Sequence, residues 1–73
     1  MTYYQIPTHG IRSGDVIVID KVPGTEPGTN ETHATVTDVH YDDGHAIIEA
    51  RTLSSRRMIV TTPGALVTLV DYT

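Results

Sequence analysis

A small all-β domain is predicted by three features of this 73-residue chain. Its apolar residues recur with a period of two, its Pro-Gly and Asp-Gly pairs fall between those alternating runs, and no segment carries an apolar stripe at helical spacing. Five strands in about sixty residues leave exposed edges, and bending into a small five-stranded barrel disposes of them. The organisation read from the chain is an irregular N-terminal arm over residues 1–14 and a single barrel domain over 15–73.

The arm holds Pro7, Gly10 and Gly14 and shows no period beyond a short strand at Thr2–Ile6, whose Tyr3, Tyr4 and Ile6 are placed to cover an open end of the barrel. Asp15–Asp20 is the first clear strand, because four consecutive β-branched residues, Val16 to Ile19, have stiff side chains that suit a pleated surface. Both its faces are apolar, so it lies centrally or buries one face in a contact with another chain. Lys21–Asn30 contains two Pro-Gly pairs and reads as a long surface loop. Glu31–Tyr41 resumes alternation, with Ala34 and Val36 set against Thr35 and Thr37. Val39 is out of step, and a β-bulge near Thr37-Asp38 returns it to the core face. His45–Arg51, Arg56–Thr62 and Ala65–Asp71 complete the set, separated by Leu53-Ser54-Ser55 and Pro63-Gly64.

Composition bounds the function. A domain of this length buries roughly 60% of the surface its unfolded chain exposes, so the core is thin. Cysteine is absent, which excludes disulfides and thiolate metal sites. With no Phe and no Trp, packing falls to Val, Ile, Leu and four tyrosines. A net charge of −4 lacks the basic excess of a nucleic-acid-binding domain. No apolar run approaches the roughly 20 residues of a membrane span, and the N-terminal residues carry no secretory pattern, so a cytoplasmic protein without membrane contact is expected. One lysine against four arginines is the bias of GC-rich coding DNA, which points to a high-GC bacterium or its phage.

The stretch Ser13-Gly14-Asp15-Val16-Ile17-Val18, with Ala34-Thr35-Val36-Thr37-Asp38-Val39 and the hairpin at Asp43-Gly44, resembles the first three strands of SH3-like barrels of the KOW and related bacterial type. The resemblance covers about half the chain and is one of fold. It implies modules that bind nucleic acid or protein, although the glycine that closes the usual KOW motif has no counterpart after Ile19. A shared fold does not carry a shared activity.

Histidines and aspartates crowd most closely in Val39-His40-Tyr41-Asp42-Asp43-Gly44-His45. Tyr41 to Gly44 suits a type I turn closed by a left-handed glycine, a three-residue hairpin loop with a bulge. That register sets Tyr41 opposite His45 and His40 opposite Ala46, sends the two histidines to opposite faces, and leaves a metal to draw further ligands from His33, His9 and Asp38. No metal and no cofactor are assigned on this pattern, and a histidine metal-binding domain using His33, His40 and their neighbours is kept only as the last alternative reading. Ser13, Ser54 and Ser55 lie in turns where turn formation accounts for them, and Gly24 and Gly28 lack the lysine and helix of a phosphate loop. No catalytic residues are assigned, and the expected protein is not an enzyme.

A binding role remains. Asp15–Asp20, Met58–Val60 and Leu66–Val70 carry apolar residues on both faces, more than a thin core buries, which predicts a protein partner or self-association through a strand edge. The candidate contact residues are Tyr3 and Tyr4 of the arm, Pro23, Glu26 and Pro27 of the long loop, and an arginine patch of Arg51, Arg56 and Arg57 around the turn at Leu53-Ser54-Ser55. That patch also supports the alternative, a KOW-like module that touches nucleic-acid phosphates.

Overall fold

Among the described residues every strand lies antiparallel to its neighbours in one sheet of six strands, in the order β1-β6-β2-β3-β4-β5. The strands are β1 Thr2–Pro7, β2 Val16–Lys21, β3 Glu31–Asp42, β4 His45–Arg51, β5 Arg56–Thr61 and β6 Leu66–Asp71. The structure is a computed structural model and describes residues 1–26 and 28–73. Among the described residues no helix is long and apolar enough to cross a membrane.

Two expectations are corrected by this topology. The sheet has six strands, not five, and it stays open, so it is not a closed barrel. The sixth strand is the short one expected at Thr2–Ile6 of the arm, which runs on to Pro7 and pairs along its whole length with β6, from Thr2 opposite Asp71 to Pro7 opposite Leu66, as a member of the sheet and not a cover over it. Adjacent Tyr3 and Tyr4 gave no clear alternation, since an aromatic residue on each face obscures which one is buried. The pairing is decided instead by β6, whose backbone on that side would otherwise go unpaired.

The inner face is built from alternate residues of each strand. Ile17, Val36 and Ile48 are almost fully buried, with Ile19, Val39, Ile59, Val67 and Leu69 packed around them. After β1, a turn of 3-10 helix at Thr8–Gly10 lowers Ile11 into this cluster. Thr8, buried and polar, satisfies itself on one carbonyl: its amide and its hydroxyl both donate to the Ala65 oxygen, at 2.9 and 2.8 Å. The remainder of the arm therefore plugs the core, with Ile6 and Ile11 doing the covering rather than the tyrosines.

Two bulges adjust the faces. In β3 the register shifts between Val36 and Asp38, as the misplaced Val39 required, so that Asp38 rather than Thr37 lies opposite Glu49. The extra residue is held on both sides: the Ser13 hydroxyl donates to the Thr37 carbonyl at 2.9 Å, and the Thr37 hydroxyl donates to the Glu49 carbonyl at 3.1 Å. In β2 the shift falls between Val18 and Asp20 and lets both Ile19 and Asp20 approach the inner face.

Candidate functional site

The β3–β4 hairpin closes differently from its expected form. Asp43 and Gly44 both have positive φ, 51° and 78°, and Asp42 pairs directly with His45. This is a two-residue loop with both central residues left-handed, whose twist matches that of the flanking strands, and Asp tolerates that conformation better than most side chains. Tyr41 is consequently opposite Ala46 and His40 opposite Ile47. The one-residue difference reverses an expectation: His40 and His45 share the outer face.

Arg51, Arg56 and Arg57 line one depression together with Thr37, Glu49 and Ala50, but they reach it from different faces of the sheet. Arg51 and Arg56 are direct cross-strand partners on the outer face, whereas Arg57 pairs with Ala50 and so belongs to the inner face, because consecutive strand residues leave opposite sides. There the Arg57 guanidinium donates to Asp20 Oδ2 at 3.0 Å. Alternation also separates Tyr3 from Tyr4: the former shares the outer face with Val70 and Val16, and the latter lies opposite Leu69, exposed. Pro23 and Glu26 are exposed on the loop after β2, and Pro27 falls outside the described residues.

That loop is fixed by its own bonds. The Lys21 ammonium donates to the carbonyls of Glu26 and Thr29, and the Thr25 hydroxyl donates to the carbonyls of Val22 and Thr29. Both ends of the loop meet at Glu31, the most interconnected side chain on the outer face. Its Oε1 accepts from the Gly28 amide at 2.7 Å and from Lys21 at 3.2 Å, and its Oε2 accepts from the Tyr3 hydroxyl at 2.7 Å and from His33 Nε2. The carboxylate is only an acceptor, so Nε2 of His33 is the donor, and Nδ1 of the same ring meets the Tyr72 hydroxyl. The Glu31 side chain is 3% exposed, so these donors replace nearly all of its water.

The electrostatics follow from that replacement. The Tyr3 hydroxyl, then His33, the Gly28 amide and Lys21 hold the Glu31 carboxyl down at about 2, against an opposing effect of burial. Conversely the hydrogen bond to Glu31, with burial, pushes the Tyr3 phenol up to about 12. The aromatic rings of Tyr3 and Tyr72 flank His33 with centroids 6.3 and 5.7 Å away. Chemically this arrangement stores a fixed negative charge and locks a histidine between two phenols. It ties β1, the long loop, β3 and the residue after β6 together. The sequence signal was the i, i+2 spacing of Glu31 and His33 on a strand, but their donors come from positions distant in sequence.

The two edges of the sheet differ. β1 ends at Pro7, which has no amide hydrogen to offer a neighbour. β5 has β4 on one side and no strand on the other, and its central residues Met58, Ile59 and Val60 are uncharged. On its outer face Met58 and Val60 are 66% and 59% exposed beside half-buried Ile47. Comparison with known protein families, curated proteins and solved structures finds no match.

Proposed function

We propose that this chain is a non-enzymatic interaction module that assembles through the β5 edge, with a second copy of itself as partner. The observation that carries the reading is an unpaired edge strand with an apolar centre and exposed Met58 and Val60. Edge strands in proteins that stay monomeric are commonly blunted by charge, proline or a bulge. In β5 the charges stand only at its start, Arg56 and Arg57, and its pairing with β4 is regular from end to end.

Among antiparallel registers of two copies centred on Arg57, Met58 or Ile59, one is favourable. Centred on Ile59, it sets Met58 opposite the partner's Val60 and Arg57 opposite the partner's Thr61. Apolar residues then meet apolar ones, and the arginines meet hydroxyls. Moving the centre to Met58 lays Arg57 and Arg56 over Ile59 and Val60. Moving it to Arg57 sets like charges face to face.

The SH3-like relation belongs to the same reading. It is supported by the adjacent antiparallel strands β2 and β3 and by the tight β3–β4 hairpin. A small accessory protein of a bacterium or phage, acting in the cytoplasm, fits such a module. The test is sedimentation equilibrium of the intact chain and of a Val60→Lys variant. A dimer that the variant converts to monomer, with its circular dichroism unchanged, supports the reading. A native chain that stays monomeric at millimolar concentration contradicts it.

A further inference from the structure

The bulge in β3 has a chemical result besides returning Val39 to the core. It brings Asp38 directly opposite Glu49, two carboxylates face to face across a strand pair, an arrangement that costs stability unless a cation intervenes. The chain holds this conflict in place with the two hydroxyl bonds that fix Thr37. His40, two residues further along the same face, turns one ring nitrogen toward both acids: Nδ1 lies 3.0 Å from Asp38 Oδ2 and 3.7 Å from Glu49 Oε2. Among the described residues, these three side chains offer donor atoms that all lie within 4.8 Å of one another.

We propose that Asp38, His40 and Glu49 bind a divalent transition-metal ion, with zinc the best match. Zinc bonds of about 2.0–2.2 Å in a tetrahedron put donor atoms about 3.4 Å apart. The two distances from His40 Nδ1 bracket that spacing, and the remaining pair of donor atoms, from Asp38 and Glu49, lies within 4.8 Å. The donor set selects the ion: an imidazole with two carboxylates suits a first-row divalent metal, the nitrogen disfavours calcium, and the lack of thiolate disfavours copper(I). Two carboxylates neutralise the ion's charge. All three side chains remain about half exposed, which leaves the remaining coordination position to water or to a donor from another molecule.

Glu49 is the cross-strand partner of Met58, so the site adjoins the β5 edge, but its three ligands stand on β3 and β4 and do not depend on the assembly reading. His45, on the same face but paired with Asp42 beyond Ile47, lies outside the trio and serves as the control. The experiment is calorimetric titration of zinc chloride into the intact chain after chelator treatment, with nuclear magnetic resonance to locate the site. The expected result is one zinc per chain, with the largest shifts at Asp38, His40 and Glu49. His40→Ala and the isosteric Glu49→Gln each weaken binding at least ~10-fold, as loss of a direct ligand exceeds that of a supporting partner. His45→Ala leaves it within about twofold. Folding of each variant is checked by its amide spectrum. The proposal is overturned if millimolar zinc produces no heat and no shifts, which leaves His40 a hydrogen-bonding neighbour of two acids and nothing more. It is equally overturned if His40→Ala and Glu49→Gln bind as the native chain does.

Discussion

Arg57 and Asp20 form an ion pair at 3.0 Å although β5 and β2, which carry them, are separated in the sheet by β3 and β4. Three inter-strand steps of about 4.8 Å would hold those strands about 14 Å apart in a flat sheet. The pair therefore crosses the inner side of a strongly curled sheet and marks how far the curl has gone. Both side chains are about half exposed. Asp20→Asn is accordingly expected to cost only about 0.2–1 kcal/mol, a loss that shrinks as salt is added. Urea unfolding at low and high ionic strength measures it, and a loss several times larger would mean that the pair, not the aliphatic core, holds the curl.

Stability should have an acid limb and an alkaline limb. Glu31 has its carboxyl lowered from 4.5 to about 2 in the folded chain, so its contribution is complete above about 4.5 and disappears as pH falls through about 2. Tyr3 is raised from 10.0 to about 12, so its contribution is complete below about 10 and is lost as pH rises through about 12. Between those limits neither group changes the stability read in thermal melts across pH. Tyr3→Phe removes the alkaline limb and raises the pH at which the acid limb ends, because Glu31 loses its largest stabilising donor. An unchanged acid limb in that variant would contradict the hub as described.

The hairpin turn isolates a conformational cost. Gly44 has φ of 78°, and a Cβ added there meets nothing within 4 Å. Gly44→Ala therefore creates no clash and is expected to destabilise by about 1–2 kcal/mol through the left-handed backbone alone. Asp43→Asn should be neutral or slightly stabilising, since Asn-Gly is the preferred pair for this loop. Equal stability of Gly44→Ala and the native chain in chemical denaturation would contradict a left-handed backbone at Gly44.

Most strands were legible because their signals are local. The β-branched run of β2, the alternation of β4 and the single misplaced Val39 each report their own backbone, and the bulge followed from parity alone. β1 was legible as a short strand at Thr2–Ile6, but its place in the sheet was not, because its partner β6 lies more than sixty residues away for Thr2 and Asp71. Barrel closure failed for a related reason: whether two edges meet depends on accumulated twist, which no short window encodes. Arg51, Arg56 and Arg57 do line one depression, but the alternation that sends Arg56 and Arg57 from opposite faces of β5 is not visible in their adjacency in sequence. The trio of Asp38, His40 and Glu49 needed the bulge and the hairpin register together. The bulge was foreseen, but the register was off by one residue.

The central claim concerns the free edge of β5, and amide hydrogen exchange reads it residue by residue. In an edge strand every second amide points away from the sheet and exchanges freely, while the others are held by the neighbouring strand. The account predicts that in dilute solution β5 shows this alternation, and that at high concentration the outward amides near Ile59 slow as well while those of β1 do not change. Alternation in β5 that persists at every concentration, with the outward amides always fast, would contradict assembly through this edge.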